Sequence, residues 1–184
     1  MSEHEQVKIR RANETDLTAI SHVLVDTWRT TFRGLVSDRF LDSMSYAEQR
    51  DRHLRYMLNQ RVSYSVAECG QTGTVIGFVS GGPIRDRDFP YASELYAIYI
   101  RKELQGRGIG TRLFCALVDQ LFRSSLTSMM VWALGPNAHS FYERMGGRAI
   151  TTRRIELDGV SMAEMVAFTW SDLRFTLHSC CQSS

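Results

Sequence analysis

Apolar positions recur at strand and helix periods along most of the chain, and the changes of period divide it into elements. Val7 to Arg11 is a short strand candidate. Asn13 with Asp16 forms a capping-box pattern that opens a helix, whose apolar stripe is Leu17, Ile20, Leu24, Trp28 and Phe32 and whose stop is Gly34. Asp38 to Met44 is a short connecting segment. Ser45-Tyr46-Ala47-Glu48 caps a second helix, with Leu54, Met57 and Leu58 on one side. Val62, Tyr64 and Val66 alternate with small polar residues as a half-buried strand does, and Gly70-Gln71-Thr72-Gly73 turns the chain into a partner strand, Thr74 to Ser80. Gly81 to Pro90 reads as a polar loop. Leu95 to Ile100, apolar throughout, predicts a strand covered on both faces.

A broad-faced helix follows, with Ile109, Leu113, Leu117 and Leu121 in one row and Phe114, Val118 and Phe122 in the next. Ser128 to Leu134 is a further buried strand, and Ala138 to Met145 a short helix closed by Gly146-Gly147. Ile150 to Leu157 and Met162 to Trp170 form a last hairpin turned at Asp158-Gly159. The predicted order is β-α-α-β-β-β-α-β-α-β-β, a mixed α/β (α+β) architecture without internal repeat or linker. Residues 1–184 are expected to form one domain with its core at 7–170, and the tail from Ser171 is expected to fray.

Composition narrows the function classes. With 22 Lys+Arg against 20 Asp+Glu in 184 residues, a net charge of +2 makes no case for nucleic acid, which needs a basic face. Apolar runs of six residues fall far short of the ~20 that span a bilayer. The polar start, Met1 to Gln6, suggests no secretory signal, and a cytoplasmic protein is expected. Cys69, Cys115, Cys180 and Cys181 include no C-x-x-C pair and are expected to be reduced, non-catalytic thiols. His22, His53 and His139 form no ligand cluster with carboxylates, so no metal is expected. Gly77-Phe78-Val79-Ser80-Gly81 lacks the spacing of a serine nucleophile elbow.

The chemistry concentrates after Ile100. Gln105-Gly106-Arg107-Gly108-Ile109-Gly110 joins a buried strand to a strongly periodic helix, and backbone N–H groups converging at such a glycine turn suit phosphate oxygens. Glycine leaves the approach open and permits unusual dihedrals, and Arg107 offers a charge-assisted contact. A dinucleotide fingerprint would need glycine at 111 or 113, where Thr111 and Leu113 stand, and no G-K-S/T ends the turn. Such nucleotide sites, and the oxidoreductases that use them, are disfavoured.

With its buried strand and helix, this turn resembles the Gln/Arg-x-x-Gly-x-Gly/Ala signature of the GNAT superfamily of acyl-CoA N-acyltransferases, through Gln105, Gly108 and Gly110. Phe141-Tyr142-Glu143-Arg144-Met145-Gly146-Gly147 is similar to the family's later helix, and Trp28-Arg29-Thr30-Thr31-Phe32-Arg33-Gly34-Leu35-Val36 to its first helix and turn. The resemblance implies the GNAT fold from about Val7 to Trp170. It implies acetyl-CoA as co-substrate, with pyrophosphate on Gln105, Gly106, Arg107, Gly108, Ile109, Gly110 and Thr111, and pantetheine pairing with Ile98, Tyr99 and Ile100 as a neighbouring strand splays away. Arg101, Lys102 and Arg107 would rim the CoA phosphates. Tyr142 would be the general acid for the departing thiolate.

An alkylamine has a pKa near ~10, so amide formation needs a base, and Glu94 is the candidate. Trp28, Phe32 and Arg33 would line the acceptor pocket. Where the family often has asparagine seven residues before the tyrosine, this chain has Gly135; Asn137 is either a pantetheine contact or a helix cap. The implied activity is transfer of an acetyl group to a primary amine, of a small molecule or a protein, by direct attack in a ternary complex. The alternative is a non-catalytic acyl-CoA-binding or regulatory module. Asp86, Asp88 and Glu94 suit either a cationic acceptor or a solvated acidic loop. The family often pairs through its last strands, so a homodimer is one expected assembly, and the acceptor is left open.

Overall fold

The computed structural model describes residues 7–157 and 162–182. Asn13 closes both halves of its capping box, accepting from Thr15 while Asp16 accepts from the Asn13 N–H, and a single 3-10 turn leads into α1 (Leu17–Thr31). A short α2 (Asp38–Ser43) forms inside the predicted connecting segment, because the Ser37 hydroxyl accepts from the Phe40 N–H. Ser45 likewise caps α3 (Tyr46–Met57). The strands are β1 (Val7–Arg11), β2 (Ser63–Cys69), β3 (Val75–Pro83), β4 (Ser93–Ile100), β5 (Met129–Leu134), β6 (Arg148–Glu156) and β7 (Met162–Trp170). Between them lie α4 (Ile109–Arg123) and α5 (Pro136–Arg144), and α6 (Leu173–Gln182) follows the last strand.

One seven-stranded sheet runs in the order β1-β2-β3-β4-β5-β7-β6, antiparallel except where β4 meets β5. Ile20, Val23 and Leu24 of α1 pack on Tyr64, Val66 and Phe78 on one face. Leu113, Phe114, Leu117 and Leu121 of α4 pack on Ala67, Val79, Leu95, Val131 and Phe168 on the other. β2 is therefore covered on both sides rather than on one, since Ser65, on the α4 side, accepts from Gln120 at 2.7 Å. No helix among the described residues is long and apolar enough to cross a membrane.

Three expectations are corrected. Gly81 and Gly82 belong to β3 rather than to a loop: a Cβ on Gly81 would stand 2.8 Å from the Glu94 carbonyl oxygen and 2.9 Å from Leu117, so close packing, not flexibility, requires glycine there. The tail is a helix: Leu173 is fully buried, and Cys180 is disulfide-bonded to Cys115 of α4 across 65 residues of sequence. Those two thiols are thus not the reduced groups expected, and only Cys69, buried, is a free cysteine among the described residues. The Asp158-Gly159 turn lies outside the described residues.

Candidate functional site

The decisive local feature is where the sheet comes apart. β4 and β5 pair only through Ser93 with Met129 and Glu94 with Met130. Beyond Glu94, β4 stays paired with β3 as far as Ile100, while β5 is paired along its whole length with β7 on its other side. The β5-facing backbone groups of Leu95–Ile100 thus open on a cavity of about 580 Å³ that runs between the two strands. This explains why Tyr96 to Ile100 are only half-buried although the sequence is apolar throughout: they are a cavity wall, not a strand sealed on both faces.

At one end of the cavity the glycine turn meets α4. Gly106 and Gly108 adopt φ of +75° and +78°, a region costly for residues with a Cβ, and Gly108 is the helix N-cap with no side-chain cap bond. The first helical bond runs from the Arg112 N–H to the Gly108 carbonyl, so the N–H groups before it project from the helix start without intrahelical partners. Gln105 clips the turn by donating from Nε2 to the Ile100 carbonyl at 3.0 Å, and Arg107 donates to the Glu103 carbonyl at 3.3 Å. A Cβ on Gly110 would press on Ile100 and Phe141, both at 3.3 Å. Backbone N–H groups left free at a helix start can bind an anion.

Tyr142, on α5, lies on the α4 side of the gap, 4% exposed, among Phe141, Phe168 and Trp170. Burial, with a contribution from Tyr99, pushes its hydroxyl far above the usual range, so it is a protonated donor at neutral pH. Trp28 and Phe32 of the α1 end line the cavity from the opposite face, their rings tilted against each other at 4.7 Å between centroids. Gln105, Gly106, Gly108, Gly110, Thr111, Ile98, Tyr99, Ile100, Asn137 and Tyr142 line it as well. Asn137 is not the cap of α5: Gly135 holds the N-cap with φ +83°, and Pro136 takes the first helical position.

Arg107, Ile109, Arg33 and Glu94 stand outside the cavity lining. Arg33 instead pairs with Asp38 at 2.9 Å and Asp42 at 3.5 Å. Glu94 is buried, and Arg85 takes both its oxygens: Nε and the backbone N–H of Arg85 donate to Oε2 at 3.0 and 3.1 Å, and Nη2 donates to Oε1. Strand alternation predicts Glu94, Tyr96 and Ile98 on one face. A β-bulge at Tyr96 breaks it, since Gly81 pairs with Leu95 and Ser80 with Ala97. Tyr96 turns to Tyr56 of α3, while Ile98 packs into the core beneath α4. Asp86, in the loop after β3, pairs with Arg153 at 3.0 Å, and Asp88 is exposed. Sequence reasoning missed Trp132, Leu134, Ile155 and Met165, which join the wall only because β5, β7 and β6 are neighbours.

The sequence profile of the acetyltransferase (GNAT) family matches residues 21–147. An uncharacterised N-acetyltransferase of Bacillus subtilis, YuaI, is 34% identical over 168 residues, 91% of this chain and 94% of the relative. The L-methionine sulfoximine/L-methionine sulfone acetyltransferase of Salmonella typhimurium is 26% identical over 93% of this chain and 96% of its own length. The fold matches that of YncA, a structure from Salmonella typhimurium described as a putative acetyltransferase with its cofactor acetyl-CoA, with a TM-score of 0.71 at 20% identity over 91% of this chain and 94% of that one. The split sheet, the uncapped glycine turn and the buried tyrosine thus occur in a chain that belongs to the acetyltransferase (GNAT) family and is an N-acetyltransferase.

Proposed function

We propose that the protein transfers the acetyl group of acetyl-CoA to a primary amine by direct attack in a ternary complex. The observation that carries this reading is the parting of β4 from β5 beside an uncapped helix start, which offers an extended ligand a strand edge and its phosphates a cluster of N–H groups. Acetyl-CoA, when bound, supplies an acyl group activated as a thioester. Leu95 to Ile100 would hold its pantetheine arm through backbone groups, and Gln105 to Thr111 its pyrophosphate. Tyr142 donates a hydrogen bond from its hydroxyl to the departing thiolate sulfur.

Among the described residues, the cysteines support direct attack over a covalent acyl-enzyme: Cys115 is disulfide-bonded to Cys180 and Cys69 is buried in the core. Glu94, with both oxygens on Arg85, is better placed to hold Arg85 over the Tyr96 ring, 4.1 Å from its centroid, than to take a proton from the amine. It is therefore assigned as a positioning residue, and the amine loses its proton to water. The acceptor is proposed to be a small molecule, in line with the amino-acid analogues in the name of the Salmonella relative. Calorimetric titration with acetyl-CoA, with NADH and ATP as controls, followed by thiol release in the presence of amines, tests the reading. Selective acetyl-CoA binding and amine-dependent release are expected, and binding without release to any amine would leave only a CoA-binding module.

A further inference from the structure

The gap between β4 and β5 joins two unlike halves of the cavity. On the α4 side stand the glycine turn and Tyr142, which the proposed reaction assigns to acetyl-CoA. The other half opens on the face of the sheet that carries α1. Val131 and Ala133 belong to the core under α4, so Trp132 and Leu134, which alternate with them, project on the α1 face. Leu134 pairs with Met165 and shares that face, as does Ile155, two residues beyond the partner of Met165 on β6. Trp28 and Phe32 form the opposite wall, and Phe32 packs in one apolar cluster with Leu134.

These walls carry no charge. Among the described residues no Asp or Glu lines the cavity at all, and its charged lining residue, Arg144, belongs to α5, on the α4 side. The carboxylates that suit a cationic acceptor are engaged elsewhere or lie outside the lining: Arg85 holds Glu94, Arg153 holds Asp86, and Asp88 is exposed. A charge carried into such walls loses its hydration and finds no counter-charge, whereas each apolar carbon placed there gains transfer free energy. The reacting nitrogen escapes that cost because it attacks as the neutral amine.

We propose that the acceptor is a primary monoamine with an apolar body, alkyl or aryl, that carries neither a second ammonium nor a carboxylate. This rests on the acetyltransferase reading and names the substrate class of the same cavity. The α1-side walls would act on specificity, touching the acceptor's body away from the reacting nitrogen.

The test is kcat/KM, from thiol release, for n-alkylamines from butylamine to heptylamine, for phenethylamine, hexamethylenediamine and ε-aminocaproic acid, and for L-methionine sulfone. Hexamethylenediamine keeps the chain of hexylamine and offers two equivalent nitrogens, so a lower value must come from its second charge. kcat/KM is expected to rise about fourfold per methylene along the alkylamines. Hexylamine is expected to exceed the diamine and ε-aminocaproic acid roughly 30-fold. Ile155→Glu sets a carboxylate in the wall and is expected to lower the ratio of hexylamine to diamine about tenfold, and Met165→Glu to do the same from the neighbouring strand. Melting temperature and acetyl-CoA affinity identify a variant that has lost its fold. A flat alkylamine series would overturn the proposal. So would a diamine, ε-aminocaproic acid or L-methionine sulfone preferred to both hexylamine and phenethylamine, or a diamine ratio that a folded variant leaves unmoved. Turnover of no amine by protein that binds acetyl-CoA would overturn the parent reading, and this proposal with it.

Discussion

Replacing Tyr142 by Phe removes one oxygen and keeps the ring that packs against Phe168 and Trp170 at 5.8 and 6.0 Å. No hydrogen bond from that hydroxyl to another described residue accounts for its place in the cavity wall, so the stability of Tyr142→Phe is expected to stay within about 1 kcal/mol of wild type. The kinetic effect follows from the direction of the hydroxyl's pKa. Burial raises it above the ordinary value of 10.0, whereas an alkyl thiol titrates near ~8.5. Full proton transfer to the sulfur is then uphill by at least ~2 kcal/mol, taking about 1.4 kcal/mol per pKa unit. In the proposed role the tyrosine would therefore stabilise the departing charge mostly as a hydrogen-bond donor, and its worth would fall at the low end of the 10²–10⁴-fold usual for general acids. Turnover is expected to fall about 10²-fold, equivalent to ~2.7 kcal/mol, with acetyl-CoA affinity unchanged. Because the group stays protonated through pH 10, its ionisation should cause no decline in wild-type turnover on the basic side below that pH. Thiol release followed in single turnovers from pH 6 to 10 makes the measurement on both proteins. A loss under threefold, or a wild-type decline below pH 10 that Tyr142→Phe abolishes, would refute the reasoning.

Glu94→Gln is expected to raise KM for the amine while turnover changes less than threefold. A 100-fold or greater fall in turnover at unchanged KM would instead make Glu94 the base, and steady-state kinetics decide between them. His53, 5% exposed, donates to or accepts from the Tyr64 hydroxyl at 2.9 Å, and burial, aided by Arg52, lowers its imidazole from 6.5 to about 4. Between those values the unfolded chain binds the proton and the folded one does not, so stability present above pH 6.5 is lost as pH falls toward 4, by about 3 kcal/mol. Urea unfolding at several pH values should show this slope in wild type and its loss in His53→Gln; Asp16, whose carboxyl is lowered below 3.8, acts beneath that window. Closing a 65-residue separation by the Cys115–Cys180 bond corresponds to about 4 kcal/mol of chain entropy, so Cys115→Ser is expected to lower the urea midpoint to that of dithiothreitol-treated wild type while leaving acetyl-CoA affinity intact. A thiol titration that counts Cys115 and Cys180 as free in untreated protein would remove the premise.

What the sequence determined by itself is what depends on neighbours along the chain. Helical spacing of Leu113, Leu117 and Leu121, caps at Asn13 and Ser45, and glycines ahead of Ile109 set α1, α3, α4 and the glycine turn, because periodicity, capping and left-handed dihedrals are local properties. The same locality misled at Gly81 and Gly82, where composition suggests a loop and the close approach of the Glu94 carbonyl and Leu117 makes a strand. Only the tertiary structure decided which groups share the cavity. Ile155 and Trp132 are brought together by the order β5-β7-β6, Cys180 reaches Cys115 because α6 returns to α4, and Glu94 leaves the face of Ile98 through a bulge that alternation does not encode. The gap between β4 and β5 is likewise a matter of pairing between distant strands: an apolar run from Leu95 to Ile100 has the same pattern whether its neighbour is another strand or the open wall of a cavity, and the sheet alone distinguishes the two.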